Sequence, residues 1–209
     1  MAAKSTIEWT DATWNPATGC TKISPGCAHC YAEAITLRFK RGGRFLSGET
    51  TIKLHPDRLK LPLSWKTPRR IFVNSMSDLF HEEIPTSFIQ QVFEAMEKAT
   101  QHTFQVLTKR HDRLQTLSGD LGWPPNVWMG VSVENQHWAD ERIPELIEVP
   151  AAVRFLSIEP LLKPVNVSPF LDELEWVIVG VERGPKARPI QPEWVEQIRD
   201  DCSAAGVPF

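Results

Sequence analysis

The chain has 209 residues, of which 42% are hydrophobic and 23% charged, and its formal net charge is -3. These proportions exclude a largely disordered chain. Together with the length, they are typical of one globular domain over residues 1–209. No run approaches the roughly 18 apolar residues of a membrane helix, and the first residues lack the charged-then-apolar order of a secretory signal. We therefore expect a cytoplasmic protein with no membrane partner.

Five short apolar runs have the length and the β-branched or aromatic content of buried strands. They are residues 70–74, 104–108, 127–133, 153–158 and 176–179. The first two are separated by an apolar helical stripe that includes Phe88, Val92 and Met96 and that Pro85 can open. Strands that read as continuous apolar runs and alternate with helices predict a parallel sheet covered on both sides.

The two ends of the chain extend this pattern. A less regular first strand is expected around residues 7–10, and residues 206–209 resemble the opening of a further strand. The sequence therefore predicts an α/β fold, an open partial TIM-like barrel of about six parallel strands plus a truncated seventh, flanked by helices. A full eight-unit barrel typically needs ~250 residues. The expectation is either a barrel that stays open or a C-terminal piece beyond Phe209.

Three of the four cysteines, Cys20, Cys27 and Cys30, lie together in a loop rich in glycine and proline. Two thiolates separated by two residues can bind one centre, because the turn between them brings both sulfurs to the same side. Cys20 can supply a third thiolate by reaching across the turn at Pro25 and Gly26. This arrangement predicts a metal or cluster site rather than a disulfide framework.

The nature of the inorganic centre determines the function, and the residues leave two alternatives. A structural zinc ion requires a fourth ligand, and His29 is poorly placed to supply it because it lies inside the two-residue spacer. An iron–sulfur cluster held by only three thiolates leaves one iron open for a small molecule. Cys202 shares an apolar helical stripe with Val195 and Ile198, so we expect it in the core rather than as a fourth ligand.

Clustered cysteines ahead of repeated strand–helix units resemble the radical S-adenosylmethionine (radical SAM) enzymes. In that superfamily a 4Fe–4S cluster on three thiolates leaves its fourth iron to bind the amino and carboxylate groups of S-adenosylmethionine (AdoMet). The motifs TWNP, SPGC with CYA, NSMSDLF, LTKR and SIEPL are similar, more narrowly, to a phage-associated three-cysteine-motif family of unknown function. The cysteine spacing here is six residues then two, against three then two in the common radical SAM motif.

Polar residues follow each predicted strand, and the carboxyl ends of parallel strands share one face, where active sites are built. The resemblance implies that Asp78 takes the methionine ammonium of AdoMet and that the next strand ends reach its ribose. The implied cofactor-binding residues are Asp78, Ser132, Glu134, Asn135 and His29. The candidate catalytic residues are Lys109, to hold an anion, and Glu159 and Glu182, to orient the substrate or transfer protons. For each residue the alternative is an ordinary loop charge or helix cap.

The resemblance implies a radical SAM enzyme that would take electrons from a reductant protein, cleave AdoMet to a 5'-deoxyadenosyl radical and abstract hydrogen from its substrate. The first 60 residues are net positive, with a basic run at residues 38–44, whereas the chain after residue 120 is net negative. A nucleic acid or nucleotide is therefore the expected substrate. The alternative is a zinc- or cluster-stabilised module that binds nucleic acid without catalysis, which a fourth protein ligand would favour.

Overall fold

The computed structural model describes residues 5–39, 51–184 and 186–209. The strands are β1 (Ala12–Trp14), β2 (Ala17–Thr18), β3 (Lys53–Leu54), β4 (Arg70–Val73), β5 (Thr103–Thr108), β6 (Val127–Ser132), β7 (Val153–Ile158) and β8 (Trp176–Val179). The helices are α1 (Tyr31–Phe39), α2 (Leu61–Ser64), α3 (Thr86–Lys98), α4 (His111–Ser118), α5 (Gln136–Ile147) and α6 (Pro192–Ala205). In these ranges no helix is both long and apolar enough to cross a membrane.

Six of the strands form one sheet in the order β1-β4-β5-β6-β7-β8, and every neighbouring pair is parallel. Each strand therefore pairs with the next one along the main series, which is the order of a barrel. Within the described ranges β1 and β8 are not paired with each other, so the barrel is open. The predicted α/β partial barrel with six parallel strands is confirmed. Strands β2 and β3 form a separate antiparallel ribbon.

The outer face of the sheet carries the hydrophobic core. Alternate strand residues point to this face, and Ile71, Val106 and Leu156 are fully buried there. The predicted apolar stripe of α3 packs into the same core, with Ile89 and Val92 fully buried. Because the helices pack against the apolar outer face of the sheet, the polar and aromatic residues of the strands lie on its concave face.

Aromatic rings close the amino end of the concave face. Trp9 lies before β1 and packs on Phe72 of β4 and Trp176 of β8, with ring centroids 4.8 and 6.2 Å apart. Trp128 and Phe155 pack on Trp176 from β6 and β7, at 6.1 and 5.5 Å. Residues 7–10, predicted as the first strand, therefore cover this end of the sheet. The edge strand is instead β1, a few residues later.

The carboxyl end of the chain returns to the edge of the sheet. After α6, Gly206 takes a left-handed conformation with φ of 72° and ends the helix. The amide of Val177 in β8 then donates to the Pro208 carbonyl at 3.0 Å. The last residues thus contact β8, but residues 206–209, where the sequence predicts the opening of a further strand, form no strand.

Candidate cofactor and active site

The cysteine segment, residues 19–31, lies across the carboxyl edge of the sheet and is tied to it first at Gly19. The Gly19 amide donates to the Met76 carbonyl at 3.2 Å, just after β4, and Gly19 forms an isolated parallel bridge with Ser77. Its φ is +95°, and a Cβ atom here would lie 2.5 Å from the Thr51 carbonyl oxygen. Only glycine fits this position without strain.

Arg110, which follows β5, fixes the next part of the segment. Its Nη2 donates to Thr21 Oγ1 at 2.8 Å, and its Nη1 approaches Cys20 Sγ at 3.7 Å. The same side chain donates to Asp78 at 3.3 Å and to Glu82 at 2.9 Å, and it is 6% exposed. Burial, reinforced by the Asp78 charge, raises the pKa of the Cys20 thiol to about 11 although Arg110 opposes the shift. A metal that binds here must displace a proton.

The Asp78 carboxylate is already satisfied by the protein. Its Oδ1 accepts from the Phe80 amide at 3.0 Å and from Thr108 Oγ1 at 2.7 Å. Its Oδ2 accepts from the Lys109 amide at 3.0 Å and from Arg110. Asp78 therefore joins the ends of β4 and β5, and the methionine ammonium of AdoMet would have to share these oxygens. That role for Asp78 stays a prediction.

Glu134, after β6, receives the middle of the cysteine segment. Ser24 donates to Glu134 Oε1 at 2.6 Å, and Lys109 Nζ lies 3.9 Å from the same oxygen. Glu134 is fully buried and also pairs with Arg142, whose Nη1 lies 3.2 Å from Oε2. A Cβ atom on Gly26 would lie 2.5 Å from Glu134 Oε1. The segment thus packs directly on this carboxylate, and a larger residue at Gly26 would push it away.

Arg142 of α5 is a member of the site that the sequence did not reveal. It is fully buried, donates to the Ser132 carbonyl at 2.6 Å and stacks on Trp138 with its guanidinium 4.0 Å from the ring centroid. Burial lowers the pKa of Arg142, and the Glu134 charge opposes that shift. Asn135, predicted to bind ribose, caps α5 by accepting from the Trp138 amide at 3.2 Å. The ribose roles of Ser132 and Asn135 stay predictions.

Glu182, after β8, forms the last attachment of the cysteine segment. His29 Nδ1 lies 3.1 Å from Glu182 Oε2, and Arg188 donates to the same carboxylate through its backbone amide and its Nε, both at 2.9 Å. Arg188 Nη2 also donates to the Pro25 carbonyl at 2.8 Å. Hydrogen bonds from Arg188 lower the pKa of Glu182 to about 2. Both predicted residues, His29 and Glu182, therefore bind each other.

Glu159, after β7, is the predicted acid with an oxygen left free. Ser157 donates to its Oε2 at 3.2 Å, and in the described part of the chain no donor reaches its Oε1. That oxygen lies directly over Gly180, where a Cβ atom would be only 2.1 Å away. Burial and the charges of Cys30 and Glu159 raise the pKa of Tyr31, whose hydroxyl donates to the Ser75 carbonyl at 2.6 Å. Glu159 therefore faces the same region as the start of α1.

The structure brings the predicted residues together at one edge of the sheet, but many of their polar groups bind other protein groups. The basic run cannot be placed in this way, because residues 40–44 lie outside the described residues. Lys22, nearer the cysteines, pairs with Glu33 at 2.7 Å. Sequence reasoning missed Thr21, Ser24, Arg142 and Arg188. The first two act through contacts distant in sequence. Arg142 and Arg188 pair with Glu134 and Glu182, eight and six residues away, through loop folds that no periodic pattern predicts.

A family model described as a protein of unknown function, DUF5131, matches residues 4–209. The chain belongs to the DUF5131 family. No protein of curated function matches it. Solved structures of spore photoproduct lyase share its fold: a mutant with bound AdoMet and dinucleoside spore photoproduct superposes with a TM-score of 0.62 at 13% identity, covering 98% of this chain and 75% of that one. A second mutant gives a TM-score of 0.58 at 12% identity over the same shares of the two chains.

The cysteines of this DUF5131 chain fit an iron–sulfur cluster by their chemistry. All three are free thiols and half-buried, and they are carried on a segment that contacts the ends of β4, β5, β6 and β8. Among the described residues, no three side chains of His, Cys, Asp or Glu converge closely enough to hold a single metal ion. A single ion requires such convergence, whereas a four-iron cluster binds each thiolate through a different iron.

Proposed function

We propose that this DUF5131 protein is a radical SAM enzyme that holds a 4Fe–4S cluster on Cys20, Cys27 and Cys30. The observation that carries the proposal is the position of these three free, half-buried thiols at the carboxyl edge of an open parallel sheet. That edge is where α/β sheets of this kind bind ligands. A structure with the same fold holds AdoMet, which supports AdoMet as the second cofactor.

Three thiolates leave one iron of such a cluster without a protein ligand. Cys20, Cys27 and Cys30 would hold the cluster, which when reduced would supply the electron that cleaves AdoMet to methionine and a 5'-deoxyadenosyl radical able to take a hydrogen atom from the substrate. The electron comes from outside the chain, so a one-electron reductant protein is a required partner.

The chain's own residues position these groups. The cysteine segment is held by the bonds from Arg110 to Thr21 and from Ser24 to Glu134. The aromatic rings at the amino end of the barrel keep water out of the site from that end. Glu159 presents an oxygen that no donor reaches from residues 5–39, 51–184 or 186–209, which suits it to bind a hydroxyl or ammonium of AdoMet or substrate. The Lys109 side chain is 21% exposed and its ammonium lies 3.9 Å from Glu134 Oε1, which suits it to attract an anion.

A structural zinc ion fits these residues less well. Zinc binds thiolates at about 2.3 Å in tetrahedral geometry, so its sulfur ligands lie roughly 4 Å from one another and a fourth protein ligand closes the site. Among the described residues, no three side chains of His, Cys, Asp or Glu converge to form such a site. His29, the nearest histidine in sequence to the cysteine pair, instead contacts Glu182. A module held by zinc that binds nucleic acid without catalysis is therefore the less supported alternative.

We propose a nucleic acid or a nucleotide as the substrate class. The N-terminal part of the chain, which carries the cysteines, is net positive although the whole chain is not. A protein of the same fold binds a dinucleoside photoproduct together with AdoMet. Both observations favour a substrate with phosphate groups and bases close to the cluster.

The test is AdoMet cleavage by anaerobically reconstituted protein under dithionite. The wild-type chain is expected to form 5'-deoxyadenosine, and Cys27→Ala is expected to form none. Cys202→Ala is the matched control, because Cys202 is a buried thiol in α6, away from the cysteine segment, and its removal should leave product formation intact. Equal product from wild type and Cys27→Ala, or no product from wild type that carries a full cluster, would reject the proposal.

A further inference from the structure

Glu182 and Arg188, which both follow β8 in the chain, contact the part of the cysteine segment that carries Cys27 and Cys30. Glu182 is buried, and its carboxylate is bound by Arg188 through the backbone amide, Nε and Nη2. Between these two residues, Gly184 has a φ of +112°, and the Ala187 amide donates to the Gly184 carbonyl at 3.1 Å. The pair is thus a preformed unit at the end of the sheet.

This unit contacts the cysteine segment on both sides of Cys27. Arg188 Nη2 donates to the carbonyl of Pro25, which begins the single-turn 3-10 helix ending at Cys27. Glu182 Oε2 lies 3.1 Å from His29 Nδ1, and His29 directly precedes Cys30. Two contacts, one before Cys27 and one between the two cysteines, fix the turn that determines where both sulfurs point.

The chemistry of the contacts requires arginine. A guanidinium is a planar fork whose N–H groups can serve a carboxylate and a carbonyl at the same time, whereas a lysine ammonium is a point charge on a flexible stem. Arg188 uses this geometry to join Glu182 and Pro25, so the buried carboxylate and the loop are held by one rigid group. Residues that support a metal ligand in this way determine how tightly the metal is retained.

We propose that Glu182 and Arg188 form a latch that positions Cys27 and Cys30 for the iron–sulfur cluster. This inference rests on the proposed function and assigns Glu182 a positioning role in place of the catalytic role expected from the sequence. The latch acts on the loop from β8, opposite the anchors that Arg110 provides from β5. Its loss frees the turn between the two cysteines without removing any ligand.

A matched control exists at the other end of the sheet. Arg154 donates to Glu175 through its backbone amide at 2.6 Å and its Nη2 at 3.3 Å, and to the Ile147 carbonyl at 3.0 Å. This is the same combination of an arginine, a glutamate and a carbonyl, but it lies at the amino ends of β7 and β8. Arg154→Ala therefore removes the side-chain bonds to a carboxylate and a carbonyl, as Arg188→Ala does, but at a place away from the cysteine segment.

The experiment measures the rate at which a chelator removes iron from anaerobically reconstituted protein. Arg188→Ala is expected to lose iron about 10- to 100-fold faster than wild type, as is typical when a residue that supports a metal ligand is removed. Arg188→Lys is expected to lie between the two, and Arg154→Ala to match wild type. In chain freed of iron, alkylation followed by mass spectrometry should show faster labelling of Cys27 and Cys30 in Arg188→Ala, with Cys202 unchanged.

The possible results separate the latch from the proposed function. Iron loss and alkylation in Arg188→Ala equal to wild type would overturn the latch, and so would an equal acceleration in Arg154→Ala, which would mark a general loss of stability. Wild-type protein that takes up no iron at all would instead reject the cluster itself. If Arg188→Ala fails to fold, Arg188→Lys and Glu182→Gln supply the same comparison, and wild-type behaviour in both contradicts the latch.

Discussion

The two ends of the same parallel sheet are built from different chemistry. At the amino end, the open barrel is covered by rings that pack on one another, from Trp9, Phe72, Trp128, Phe155 and Trp176. At the carboxyl end, charged side chains are buried beside the cysteine segment, and several have almost no exposure: Asp78, Arg110, Glu134, Arg142 and Glu182. Buried charge costs free energy unless it is paired and hydrogen-bonded, whereas buried rings stabilise. The fold therefore gains stability at one end and gives some of it up at the other to position the candidate site.

Removing a ring at the amino end should produce the largest change in stability. Phe155 is fully buried, and its ring lies over Gly130, where a Cβ atom would be only 2.7 Å away. Phe155→Ala should lower the free energy of unfolding by about 3–5 kcal/mol, measured by urea denaturation. The folded variant should still retain its iron, because the ring lies away from the cysteine segment. Loss of iron without loss of stability would contradict the division between the two ends.

A buried charge at the carboxyl end should be nearly as sensitive, for a different reason. Arg142→Met removes the ion-pair partner nearest to the buried Glu134 carboxylate and leaves it the Ser24 hydroxyl and the Lys109 ammonium 3.9 Å away, so it should cost about 3–5 kcal/mol in urea denaturation. The double variant with Glu134→Leu removes the isolated charge and should recover part of the loss. A single variant that costs less than about 1 kcal/mol, or a double variant no better than the single, would contradict this account.

The close approach of Glu159 to Gly180 predicts a smaller effect. Gly180→Ala forces its new methyl group into Glu159 and should cost about 1–3 kcal/mol, with AdoMet cleavage reduced because the carboxylate is displaced. Gly122→Ala is the control, since a Cβ atom at Gly122 meets nothing within 4 Å, and its effect should stay within about 0.5 kcal/mol. Equal effects of the two substitutions, by thermal unfolding and product analysis, would refute the role of this contact.

The smallest expected effect is a dependence of stability on pH. His81 is fully buried, and burial lowers its pKa below the ordinary value of 6.5, with Arg110 adding to the shift. Below about pH 6.5 the His81 imidazole is protonated in the unfolded chain but stays neutral in the folded protein. The free energy of unfolding should therefore fall as pH falls from 6.5 toward the lowered pKa. His81→Gln should weaken this fall in chemical denaturation between pH 8 and 5.5. An unchanged slope in the variant would show that His81 contributes nothing.

Sequence alone was sufficient for the parts of the fold with a strong local pattern. The apolar stripe of α3 and its opening at Pro85 were predicted, and so was the gathering of polar residues at one edge of the sheet. The first strand was misplaced because β1 is only three residues long, while Trp9 and Ile7 carry the more apolar signal. Trp9 instead packs across the barrel, which is a tertiary contact that no local pattern contains.

The site was predicted in its composition but not in its internal contacts. Charged residues after strands indicate an active edge, yet the sequence does not show that Asp78 binds Arg110 or that Glu182 binds Arg188. Arg142 looks like an ordinary exposed helix charge, because its burial depends on a pairing with Glu134, eight residues earlier, while Trp138 of the same helix adds its ring. The way the loops after the strands fold back decides these pairings, and helix or strand periodicity does not predict it.

The central claim is that three thiolates hold a four-iron cluster with one open iron. Anaerobic purification and reconstitution followed by metal and sulfide analysis tests it most directly, combined with electron paramagnetic resonance of the reduced protein with and without AdoMet. The account predicts about four iron and four sulfide per chain and a signal that changes when AdoMet is added. A colourless protein that keeps one tightly bound zinc and takes up no iron after reconstitution would contradict it.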